Sequence, residues 1–296
     1  MDKLDALNRL AFNMNAIIGK FKRFYISKVS FFEGRFSINN NVIIRRLVVE
    51  VWGVLSFFDN DKIGIRERTK YILGKELNYR RFSINSFIQG IEQNNFTYFE
   101  RSSMSHIYSD IFDKMIRYFE SGEPITICCS RSSVNIVSMV ASCYFNKVLI
   151  INGHKDYNKK EIYYVLKVFK GINKPQVHVV SINNRDAILE LRKFDGITIV
   201  TYDEFPFPLF ENKIRLLKKC VLPVCKLIGR KTIFVNRYYN NNYLPRLEIL
   251  FICKKEAFND LRKVREVLMR RVMSSIEEQP EKWSIWSQKS FYYCSV

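Results

Sequence analysis

Apolar residues recur at intervals of three and four along residues 43–58, 65–77, 85–92 and 106–120. Each of these spacings returns to one side of a helix, so the first 120 or so positions are expected to be mainly helical. At Gly122-Glu123-Pro124 the pattern changes. Short apolar runs bounded by turn residues follow at 125–129, 147–151, 176–181, 197–202, 231–235 and 247–253, and these predict strands. Between them, residues 132–144, 159–170, 185–193 and 213–226 have helical spacing. Strand alternating with helix predicts an α/β fold: a mostly parallel or mixed central sheet flanked by helices, with a helical N-terminal extension. A last long helix is expected over 256–276, with Ala257, Leu261, Val264, Leu268 and Val272 on one side. The expected division is a helical part over 1–120 packed on an α/β core over 121–296, together forming one structural domain.

Composition supports a buried core. The chain has 296 residues, 47% hydrophobic and 26% charged, which excludes a disordered tail and a disulfide-stapled miniature scaffold. The stretch 47–58 contains Glu50 and is far shorter than the roughly 20 residues a spanning helix requires. Residues 3–25 place Leu4, Leu7, Leu10, Ile17, Phe21 and Phe24 near helical spacing, with Lys20, Lys22, Arg23 and Lys28 toward the end. That pattern fits a helix lying on anionic lipid, and equally a helix docked on its own domain.

Charge narrows the partners. Lys and Arg number 48 against 29 Asp and Glu, a formal net charge of +19, so polyanions, anionic membrane faces and acidic proteins are the candidate partner classes. Nucleic acid ranks last, since the basic residues are dispersed and no helix-turn-helix, RNP or zinc pattern is present. The seven cysteines are irregularly spaced and the three histidines, His106, His154 and His178, lie far apart, so neither a disulfide framework nor a metal site is expected. A reduced, cytoplasmic setting follows, with peripheral contact at the inner membrane as an extension of the lipid reading. No cofactor is expected.

Ligands of an open α/β sheet collect at the carboxyl ends of its strands, so the turn after the first strand is the first candidate site. It reads Cys128-Cys129-Ser130-Arg131-Ser132-Ser133-Val134-Asn135. The glycines of a dinucleotide or P-loop motif are missing. Serines and Arg131 at a helix start can hold an anion, and Ser130 or Ser132 can equally serve as the helix cap. Cys129, near a helix N-terminus and Arg131, is a candidate nucleophile, against the strong tendency of free cysteine to be buried. After the fourth strand, Asp203 and Glu204 are candidates for a polar substrate contact or for turn formation.

From residue 65 to residue 290 the chain resembles the bacterial lipid A biosynthesis (late) acyltransferases. The resemblance runs through the helix 106–122 and the strand after it, the segment Asp203-Glu204-Phe205-Pro206-Phe207-Pro208, the helix and strand over 214–235, and the ending Gln279-Pro280-Glu281-Lys282-Trp283-Ser284-Ile285-Trp286. It implies an acyl group taken from an acyl carrier protein thioester to a hydroxyl or amine, with Arg131, Ser132, Asp203 and Glu204 near the substrate. The family carries His-x-x-x-x-Asp/Glu after its first strand. In register, those positions are Ser130 and Asn135, neither of which is a base at neutral pH. Two expectations therefore stand side by side: an acyltransferase using Ser130 and Asn135 for positioning, and a non-catalytic relative that binds a carrier or a lipid surface.

Overall fold

The computed structural model describes residue 20 and residues 42–56, 61–95, 109–119, 123–130, 133–144, 147–152, 176–181, 193–202, 221–241 and 243–282. The expected helix over 159–170, all but the last residue of that over 185–193, and the first part of that over 213–226 lie outside these residues. Two compact units are present, Met1–Phe99 with Ser284–Ser287, and Glu100–Trp283 with Gln288–Val296.

The first unit contains helices α1 (Val42–Leu55), α2 (Asp61–Leu73) and α3 (Tyr79–Asn95). Helix α1 presents Val49, Trp52 and Gly53 to its neighbours, and all three are buried. The Trp52 ring stacks on Phe87 of α3 at 4.0 Å between centroids, and its indole N–H donates to the Ser83 carbonyl at 3.2 Å. Such a pair combines a large buried area with a satisfied polar atom, which fixes how the helices meet. Glu50 and Arg80 add an exposed ion pair across the same two helices. Leu47, Val51 and Val54, at i, i+4 and i+7, form an exposed apolar stripe on α1.

The second unit is built on a six-stranded sheet. Its elements in chain order are α4 (Ser109–Phe119), β1 (Thr126–Cys129), α5 (Val134–Tyr144), β2 (Lys147–Asn152), β3 (Gln176–Ser181), β4 (Ile197–Thr201), α6 (Val221–Ile228), β5 (Thr232–Tyr239), β6 (Pro245–Cys253) and α7 (Leu261–Glu278). The strand order is β3-β2-β4-β1-β5-β6. β1 to β5 are mutually parallel and β6 pairs antiparallel with β5, so the sheet is mixed and mostly parallel. Strands β1 and β4 are buried at every position, which is why they read as continuous apolar runs rather than alternating ones.

β5 and β6 run further than the expected 231–235 and 247–253, because they form a hairpin. The turn closes through Asn240, whose side-chain oxygen accepts the Leu244 N–H at 2.9 Å, with Tyr243 at a φ of 57°. A bulge between Phe234 and Val235 shifts the register within the pair.

The expected helix over 256–276 is split. Lys255–Asn259 form a 3-10 turn, and Asp260 caps α7 by accepting the Lys263 N–H at 3.0 Å. Aspartate supplies an acceptor for an otherwise unpaired first-turn donor, so the α-helix starts there rather than earlier. Val264, Leu268, Val272 and Ile276 form its buried stripe.

Candidate functional site

β1 lies between β4 and β5, yet the chain leaves β1 for β2 on one side and leaves β4 for β5 on the other. Connections running in opposite directions from neighbouring parallel strands open a crevice at their carboxyl ends. Cys129 pairs with Thr201 and Val235, and the Tyr202 N–H donates to the Cys129 carbonyl at 3.1 Å. The ends of β1 and β4 are therefore held side by side, with Ser130 the first residue beyond one and Tyr202 the first beyond the other.

Ser130 is 2% exposed. Its hydroxyl lies 2.6 Å from that of Ser133, and its carbonyl accepts the Ser133 N–H at 2.8 Å. The two contacts engage the Ser130 hydroxyl and carbonyl locally, just ahead of α5. Asn135 is the second residue of α5. The candidate contacts Arg131, Ser132, Asp203 and Glu204 lie outside the described residues, although Asp203 is the next residue after Tyr202 in the chain.

Cys129 is completely buried within β1. Its neighbour Cys128 is also buried and meets Cys225 of α6, with the sulfurs 3.4 Å apart. Burial first, and then the neighbouring thiols of Cys225, Cys129 and Cys253, push the Cys128 thiol well above its ordinary range. Burial, with Cys225 behind it, pushes Cys253 up to about 11. A thiol held neutral is a poor nucleophile, so Cys128 and Cys253 act as packing groups.

Sequence reasoning did not single out Ser133, Tyr202 or Asn236. Ser133 is fully buried as the partner of Ser130, and Tyr202 is 3% exposed. Asn236 follows Val235, so it stands level with Ser130 across the sheet and is 7% exposed. A polar residue directly after an apolar strand run was the available signal for Asn236. At the next position the buried Arg237 donates to the Tyr239 hydroxyl and lies over its ring, 5.1 Å from the centroid. Among the described residues no group of His, Cys, Asp and Glu is arranged to hold a metal ion.

No protein-family model matches the chain, and no curated protein sequence matches it. Level with the ends of β1 and β4 stand a shielded hydroxyl pair, the buried Asn236 and Tyr202, and the start of a helix. These are hydrogen-bonding groups, with no side chain among the described residues of the crevice that takes up a proton at neutral pH. Among the described residues no helix is long and apolar enough to cross a membrane.

Proposed function

We propose that this protein is a non-catalytic acyltransferase-like protein that binds an acyl carrier thioester or an anionic lipid surface. One observation carries the reading: the residue at the position of the family's histidine, Ser130, is 2% exposed and tied to Ser133 at 2.6 Å. Base catalysis of this kind contributes about 100-fold to 10,000-fold to rate, and a serine hydroxyl, which is no base at neutral pH, contributes none of it.

Two further features support the binding role. The formal charge of +19 steers an acidic carrier or a phospholipid face toward the protein. The exposed stripe of Leu47, Val51 and Val54 adds apolar area for peripheral contact with a membrane. Acyl transfer to an amine or hydroxyl, with Ser130 and Asn135 orienting the acceptor, is the alternative that the experiment separates.

The test is to incubate the purified chain with an acyl carrier protein bearing a thioester, measuring binding by titration calorimetry and acyl products by mass spectrometry. The expected result is binding that weakens steeply as salt shortens the screening length from about 10 Å to about 3 Å, with no acylated product. Turnover that Asn135→Ala slows would overturn the non-catalytic reading in favour of transfer. Binding to duplex DNA but to neither carrier nor anionic vesicles would overturn both.

A further inference from the structure

At the end of the sheet opposite Ser130, α6 finishes and the chain turns through Gly229 at a φ of 69°. Nearby, β6 ends at Cys253 and runs into the 3-10 turn Lys255–Asn259 and then α7. Together these pieces enclose an open cleft of about 550 Å³. That volume falls within the roughly 300–1,000 Å³ of small-molecule sites.

The cleft has two kinds of wall. Pro223, Leu227, Phe258 and Leu261 supply apolar surface, and Phe258 is anchored by being 1% exposed. Lys226 on α6 and Lys255 on the 3-10 turn line it from separate elements. Neither lysine has an ion pair or side-chain hydrogen bond among the described residues, and Glu256 is the only acidic residue of the lining. Two ammonium groups against one carboxylate leave a local excess of one positive charge beside an apolar floor. Gly229 turns the chain at a positive φ that side chains rarely adopt, and a β-carbon there would only make ordinary contact with the Lys255 Cε at 3.7 Å.

We propose that this cleft binds an amphipathic monoanion, a carboxylate carrying a medium-length hydrocarbon tail. The tail covers the walls formed by Leu227, Phe258 and Leu261. The carboxylate sits between the Lys226 and Lys255 ammonium groups, where each oxygen accepts a charge-assisted hydrogen bond. Apolar contact supplies most of the affinity and the lysines select for the anion. This site goes beyond the carrier-binding reading and uses none of its residues, so the two stand or fall separately.

The test titrates the full chain with decanoate, with decanol (the same tail without charge) and with acetate (the charge without the tail), followed by calorimetry. Saturable one-to-one binding of decanoate is expected, with decanol and acetate weaker by about tenfold or more, since decanol forfeits the charge-assisted hydrogen bonds and acetate the apolar contact. The double variant Lys226→Gln/Lys255→Gln should lose about tenfold for decanoate and leave decanol unchanged, while Lys226→Arg/Lys255→Arg keeps decanoate binding. Both lysines are exposed, so the melting temperature of each variant should match the wild type and confirm that the fold is intact. Absence of saturable decanoate binding, equal affinity for decanol, or a Gln variant that binds decanoate as the wild type does would each overturn the proposal.

Discussion

The Asp110 carboxylate accepts the backbone N–H of Leu247 at 3.1 Å, although the two residues lie 137 positions apart. One turn further along α4, Lys114 donates to the Leu247 carbonyl at 2.7 Å and pairs with Asp110 at 3.1 Å. β6 is an outer strand of the sheet, and an uncovered strand edge is a template for unwanted pairing. These two side chains satisfy both backbone groups of Leu247 at that edge. Asp110→Ala should therefore lower stability by about 1–3 kcal/mol, because it leaves a half-buried donor without its charged partner. Hydrogen exchange at the Leu247 amide checks it, and unchanged protection there would show that the contact is not formed.

Thr126 stands in register with Thr198 on β4 and with Thr232 on β5, and Thr232 stands in register with Cys253 on β6. This row crosses four strands under full burial, and the hydroxyls of Thr126 and Thr198 have no hydrogen-bond partner among the described residues. A buried polar atom without a partner is destabilising, and valine has nearly the same shape without the hydroxyl. Thr126→Val and Thr198→Val should each leave stability unchanged or raise it by about 1 kcal/mol in denaturant unfolding. A loss of stability would show that the hydroxyl is satisfied in solution.

Gly196 immediately precedes β4, beside Lys147 of β2. A β-carbon at this position would lie 2.4 Å from the Lys147 carbonyl oxygen, a backbone atom that cannot swing aside. Gly196→Ala should accordingly cost about 2 kcal/mol or more through strain at the β2–β4 pairing. Arg230 braces the same segment, donating to the Gly196 carbonyl at 3.0 Å and also to that of Phe194. Thermal unfolding of the alanine variant is the check, with a wild-type midpoint as the contrary result.

Alkaline pH should weaken the second unit through its buried thiols. Cys253 is raised from the ordinary 9.0 to about 11, and Cys128 is raised as well, so the folded chain keeps these thiols protonated where the unfolded chain ionises them. The contribution is fully present below pH 9 and is lost as pH rises toward 11. Cys253→Ala should flatten part of the decline in stability across that window, relative to wild type. A parallel decline in both proteins would argue that Cys253 ionises freely in the folded state.

Most of the alternation of strand and helix was legible in the chain itself. The run from Lys147 to Asn152 is apolar on every turn of the pleat between polar flanks, and Gln176–Ser181 begins and ends where its composition does. Short-range features of that kind are set by neighbours a few residues apart, so periodicity alone reads them. The position of the candidate turn was equally visible, because serine is strongly preferred where a strand gives way to a helix.

The tertiary structure alone decided the rest. Nothing local places β4 between β1 and β2, brings Tyr202 to the Cys129 carbonyl, or sets Asp110 on the edge of β6. Strand order follows from which apolar faces pack together and from the handedness of the connections, and both are long-range properties. The state of the Ser130 hydroxyl was hidden for the same reason. A serine in that position is a shielded or an exposed hydroxyl according to its packing, and only burial together with the contact to Ser133 made it a shielded one.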